Sequence, residues 1–172
     1  DAYGARVSAL WEPSENLSLK LNALYQRSEG DGIPYAGISL GDLQQSFIPG
    51  VGLYDRKALA YSATLSAKLA RVDFIALSGY SINRYFNSYD YTPFLGASAF
   101  GLYGVNGAQF FQNNNTRKFT QEIRLSASLN ERINWLLGAF YTDENNSLVS
   151  DISAANPASG SIVGPLQGIS VN

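Results

Sequence analysis

Two carboxylate pairs, Glu29 with Asp31 and Asp143 with Glu144, have the residue type and spacing for acid–base work or for holding a hard cation. Both lie at rim positions next to Gly- or Asn-rich sequence, where solvated charge is the commoner outcome. The glycine-dense runs Gly50-Val51-Gly52 and Gly101 to Gly107 do not open a helix after a strand, so neither makes a phosphate cradle. The chain has no His and no Cys, which removes the usual general base, the serine-nucleophile arrangement and thiolate metal sites. These absences point away from an enzyme and from a bound cofactor. What remains is a set of rings in loop-like sequence. Tyr35, Tyr54, Tyr91, Phe94, Tyr103 and Phe110 are the candidate ligand contacts, with Phe47, Phe100 and Phe111 nearby in sequence. Such rings either stack on a captured solute or pack the loops against one another.

The segments that hold these loops are alternating. In 117–129, Phe119, Gln121, Ile123, Leu125, Ala127 and Leu129 take one parity, while Thr120, Glu122, Arg124, Ser126 and Ser128 take the other. After the Asn130-Glu131-Arg132 corner, 133–143 resumes with Ile133, Trp135, Leu137, Ala139 and Tyr141. Successive strand side chains point to opposite faces, so this is a hairpin with one apolar and one wet face. The same pattern runs through 3–12 (Ala5, Val7, Ala9, Trp11), 17–27 (Leu17, Leu19, Leu21, Ala23, Tyr25) and 57–69 (Leu59 to Leu69). A fourth segment, 74–88, is strand-like, but its alternation is blurred and leaves its faces unassigned.

Tight turns centre near residues 14, 71 and 131, and long connections span 28–56, 89–116 and 144–172. The first long connection has a helical turn expected around Leu40 to Phe47. Short and long connections therefore alternate. Loops beyond about 12–15 residues are uncommon in compact domains and call for a reason. Charged residues are 15% and aromatics 13% of the 172 residues, and the net charge of −2 offers no footprint for nucleic acid.

Two architectures produce one apolar and one wet face: a soluble antiparallel sandwich, or a membrane barrel whose apolar face meets lipid. The wet faces carry mostly small polar groups, with Arg6, Lys20, Lys68, Glu122 and Arg124 as the expected lumen-facing charges. Trp11, Tyr25, Trp135 and Tyr141 sit near strand ends on the apolar faces, where an interfacial girdle belongs. No charge is expected on the apolar face within the clear strands. These points favour an all-β antiparallel transmembrane barrel with short periplasmic turns and long extracellular loops.

Lys118-Phe119-Thr120-Gln121-Glu122-Ile123-Arg124-Leu125-Ser126, followed by Trp135-Leu136-Leu137-Gly138-Ala139-Phe140-Tyr141, resembles the barrel hairpin of TonB-dependent outer-membrane receptors. Ser78-Gly79-Tyr80 and Ala9-Leu10-Trp11-Glu12-Pro13-Ser14 are similar to the same family. The resemblance implies that residues 1–172 form about six consecutive strands of a barrel of about 22, whose lumen is plugged. It implies a place in the outer membrane of a Gram-negative bacterium and energised uptake of a scarce solute such as an iron–siderophore. The implied partners are outer-membrane lipid, the remaining strands and plug domain of the receptor, TonB, and the solute. No plug domain is found in these residues. The alternatives are a small outer-membrane barrel with an adhesive or structural role, and a soluble carbohydrate-binding sandwich.

Overall fold

The structure is a computed structural model that describes residues 1–32, 36–38, 41–46 and 48–171. Seven strands follow one another: β1 (Ala2–Ser14), β2 (Leu17–Asp31), β3 (Leu53–Leu69), β4 (Val72–Asp90), β5 (Gly107–Asn130), β6 (Ile133–Ala155) and β7 (Ile162–Val171). One helix, α1 (Thr92–Tyr103), lies between β4 and β5. Strand order in the sheet equals chain order, every pairing is antiparallel, and β1 and β7 are open edges. The protein is thus all-β, a single antiparallel sheet that does not close on itself.

Strands cover all six expected segments but run well past the expected ends. The expected loop 144–172 instead carries the second half of β6 and the whole of β7. The expected loop 89–116 holds α1 and the first ten residues of β5. Asn113, Asn114 and Asn115 read locally as a loop, yet they are zipped between Phe86, Tyr85 and Arg84 on one side and Val149, Leu148 and Ser147 on the other. Ladder hydrogen bonds to two committed neighbours outweigh the weak strand preference of asparagine. Leu40 and Phe47, which bounded the expected helical turn, lie outside the described residues. Residues 41–46 form a bend and turn, with Asp42 and Leu43 at φ 45° and 57°.

On one side of the sheet the connections are two residues long, at 15–16, 70–71 and 131–132. Asn130 Oδ1 accepts the Arg132 amide at 2.9 Å, an Asx turn that fixes the last of these. Ala70 adopts φ 57° in the middle turn, a left-handed conformation that strains a residue with a Cβ.

At the opposite end α1 folds over the sheet. Pro93 occupies its first turn, Asp90 Oδ1 accepts the Thr92 amide at 2.8 Å, and Gly104 ends it at φ 71°. Ala99 on α1 is buried, as are Ile48, Ala108, Ala154 and Ala155. Among the described residues these are the only buried apolar side chains, and they all belong to this cap region. Away from the cap no described apolar side chain of the sheet is fully buried.

Replacing Ala70 by Gly relieves the left-handed strain and should raise stability by about 1 kcal/mol. The Ala70→Val variant should lose at least as much. Denaturant midpoints of the two variants against the parent check both signs.

Candidate functional site

The register assigns every side chain in β1–β6 to one of two faces. Trp11, Leu19, Leu65, Ala76, Ile123 and Ala139 lie on one continuous rung, and Ala9, Leu21, Ala63, Ser78, Gln121 and Tyr141 on the next. This apolar face takes the even residues of β4 (Phe74, Ala76, Ser78, Tyr80, Ile82) and so settles the faces of 74–88. Gln121 is not isolated there, because its Oε1 accepts the Ser78 hydroxyl. The four expected girdle residues, Trp11, Tyr25, Trp135 and Tyr141, all share this face.

Nothing covers it. Val7 is 68% exposed, Trp11 60% and Leu137 64%. Six strands about 4.8 Å apart and five rungs about 6.6 Å apart make an uncovered apolar face of roughly 700 Å². The largest patch on an ordinary soluble monomer is about 300–600 Å². The chain exposes 11481 Å² in total. A compact monomer of 18.6 kDa exposes about 8,200 Å².

Aromatic rings bound the face obliquely. Tyr61, Tyr80 and Phe119 share a rung, Tyr141 is one rung nearer the tight turns, and Tyr25 and Tyr3 are one and two rungs farther away. Phe119 packs against Tyr141 at 6.3 Å and Tyr3 against Tyr25 at 6.1 Å. Near the turns, Trp11 and Trp135 step in the same sense.

Just outside the upper ring line the expectation of an uncharged face fails. Arg27, Lys57 and Arg84 share one rung, Arg117 is one rung inward on β5, and Asp143 pairs with Phe119 on the same face. The parity that was read in the strand centres continues into the extensions, and it carries these charges with it. Arg27 donates to both Asp55 oxygens at 3.1 and 3.0 Å and also meets Glu29 at 2.9 Å. Lys57 rests over the Tyr25 ring.

The other face carries all five of the expected lumen charges: Arg6, Lys20, Lys68, Glu122 and Arg124. Glu122 and Arg124 form a local pair at 2.5 Å. Ser8, Asn22 and Ser62 are linked side chain to side chain at 2.8 and 3.1 Å across three strands. Leu10, Leu24, Leu77 and Phe140 share this face, so it is mixed rather than wholly polar.

The rings singled out for ligand contact separate into three groups. Tyr91, Phe94 and Phe110 pack on one another, with centroids 5.6 and 5.1 Å from Tyr91. Tyr103 donates its hydroxyl to the Pro165 carbonyl at 2.8 Å and lies against Gly164. These four make their contacts within the cap, although Phe94 is largely exposed, and Tyr54 lines a cavity. Tyr35, like Phe47, lies outside the described residues.

That cavity, about 560 Å³, sits on the mixed face at the cap end. Besides Tyr54 it is lined by Arg56, Tyr85, Asn87 and Tyr89, none of which stood out in the sequence. The Arg56 guanidinium stacks over the Tyr85 ring at 4.6 Å. Asn87 is only 4% exposed, and its Oδ1 has no protein partner. A cation, an unfilled acceptor and three rings suit a solute with anionic, donor and flat portions. Asp31 of the first carboxylate pair also lines this cavity and sets a negative charge beside Arg56 there, whereas Glu29 is tied to Arg27 and Glu144 to Lys118 at 3.0 Å. Among the described residues no cluster of potential metal ligands exists.

No family model, curated protein or solved structure matches the chain.

Removing one ring distinguishes cap packing from solute capture. Phe110→Ala should cost the cap about 3 kcal/mol and open residues 92–106 to limited proteolysis. An unchanged cleavage pattern would mean that the ring serves a ligand.

Proposed function

We propose that this sheet is one sector of the transmembrane wall of an outer-membrane active-transport receptor, of the TonB-dependent kind that its hairpin sequence resembles. The observation that carries the reading is the uncovered apolar face bounded by two oblique aromatic lines. From Tyr3 on β1 to Tyr141 on β6 the upper line descends six residues of register over five strand steps. If that line is level in a bilayer, about 20 Å along the strand accompanies about 24 Å across the sheet, a strand tilt of about 40°. Membrane barrels tilt their strands by about 35–45°.

The height agrees too. From Leu129 to Phe119 is about 33 Å along β5, or about 25 Å along the membrane normal at that tilt, the height of a barrel's apolar band. A soluble sandwich needs a second layer over this face, and the described residues supply none.

In this setting the two-residue turns are periplasmic, and the α1 cap with its cavity faces the outside. Further strands of the same wall pair with the β1 and β7 edges. The mixed face borders the lumen, where Leu24, Leu77 and Phe140 meet a plug domain among polar groups. The Arg56 cavity is the first stop for a scarce, partly anionic solute such as an iron–siderophore. Energy arrives from TonB through a part of the receptor outside this sheet.

Uptake of a radioiron chelate by cells bearing the receptor tests this reading. A protonophore should abolish uptake, and Arg56→Ala should weaken solute binding roughly tenfold by removing a charge-assisted contact. Uptake that ignores the protonophore, or a receptor recovered in the soluble fraction, would contradict it.

A further inference from the structure

Four cations stand on the apolar face, outside the lining of the Arg56 cavity. Arg27, Lys57 and Arg84 occupy adjacent strands on one rung, about 4.8 Å apart, and Arg117 follows on β5. Arg27 is neutralised by Asp55 and Glu29. Among the described residues Lys57, Arg84 and Arg117 have no acidic partner. Arg84 and Arg117 are exposed.

Their height is specific. Lys57 lies four residues outside Tyr61, Arg84 four outside Tyr80, and Arg117 two outside Phe119. At the tilt derived above, these offsets are about 5–10 Å along the membrane normal. The polar headgroup layer on each side of the hydrocarbon is about 5–8 Å thick. The cations therefore stand where lipid phosphates stand.

A second feature lies directly beneath them on the same strands. Alanines at positions 9, 23 and 63, with Ser78, leave a shallow groove of about 420 Å³ between Leu21, Tyr61, Tyr80 and Phe119. Small side chains do not fill the space between the rings, and the lining presented is almost wholly apolar. A phosphate site alone has no use for such a groove, whereas an amphiphile fills both parts.

We infer that Lys57, Arg84 and Arg117 bind the phosphate headgroup of an outward-leaflet lipid whose acyl chain lies in the groove below. The inference rests on the membrane-wall reading given above. Arg27, held in place by Asp55, forms the end of the belt and keeps its neighbours from collapsing onto those carboxylates.

The test uses the full-length protein in detergent micelles, with lipid adducts counted by native mass spectrometry. Phosphatidic acid is the probe, and phosphatidylcholine with the same chains and inorganic phosphate are the comparisons. Each cation near an anionic headgroup contributes about fivefold in affinity, so phosphatidic acid should bind roughly 100-fold more tightly than phosphatidylcholine. The triple variant Lys57→Gln, Arg84→Gln, Arg117→Gln should erase that preference. The opposite-face triple Arg6→Gln, Lys20→Gln, Arg124→Gln should keep it. Should the first triple variant fail to fold, Arg84→Gln alone should lose about fivefold.

A preference that survives in these belt variants overturns the inference while leaving the membrane wall standing. Displacement of the lipid by millimolar inorganic phosphate overturns it as well, by assigning the belt to free anions. A protein that is monodisperse in plain buffer overturns the wall itself, and the lipid site with it.

Discussion

The inner strands of this sheet satisfy their backbone through their neighbours, yet none of the described residues covers its apolar side. That mismatch governs the rest of the molecule. Ladder pairing disposes of the amide and carbonyl groups across seven strands and leaves only the two edges unpaired. The hydrophobic effect has no comparable outlet among the described residues, where buried apolar side chains are confined to the cap and Leu21, Leu137 and Ile123 stand exposed. In the setting proposed above, hydrocarbon meets that side and further strands pair with the two edges, since strands cross a bilayer only in a closed wall.

Once that solvent is assigned, other features share one frame. The obliquity of the tyrosine line becomes strand tilt, and the basic rung beyond it falls at headgroup depth. The turns at 70–71 and 131–132 need only reverse the chain, whereas the opposite end builds a helix, a buried patch and a cavity. Stability in such a wall comes from ladder pairing and lipid contact, so the cap can vary its surface without endangering the sheet. The cavity beside Arg56 exploits that freedom: a guanidinium on a ring and an unfilled Asn87 acceptor are held by strands and open toward the cap.

Period-two alternation was legible wherever side chains alternated strongly, as at Leu17 to Tyr25 and Phe119 to Leu129. The register preserves those faces through the strand centres and shifts only beside the turns, between Trp11 and Ser14 and between Ser128 and Asn130. Strand ends were not legible. Asn113 to Thr116 and Asp143 to Ser147 have turn-like composition, and their extended form is imposed by pairing with β4 and with each other, a tertiary effect absent from the local sequence. The site was hidden for two reasons: Arg56 lies in an expected loop and Arg27 and Lys57 at expected strand ends, while Arg84, Tyr85 and Asn87 lie within 74–88, whose blurred alternation left the faces unassigned. The helix left a signal that was passed over, since Asp90 and Pro93 precede Phe94 to Tyr103 and Gly104 follows. Of the rings expected to contact a ligand, Tyr91, Phe94 and Phe110 also pack on one another, a contact that the local sequence does not announce.

The central claim concerns which solvent meets which face, and nitroxide labels read that directly. Cysteines introduced singly at Leu21, Leu65 and Ile123, and at Asn22, Thr64 and Glu122, would carry the label in the full-length protein reconstituted into vesicles. Relaxation by dissolved oxygen and by a water-soluble nickel chelate then reports hydrocarbon and water at each position. The account predicts oxygen-dominated relaxation at the first three sites and nickel access or protein shielding at the second three, alternating residue by residue along each strand. Nickel access at Leu21, Leu65 and Ile123, or all three shielded from both reagents as in a buried core, would contradict it.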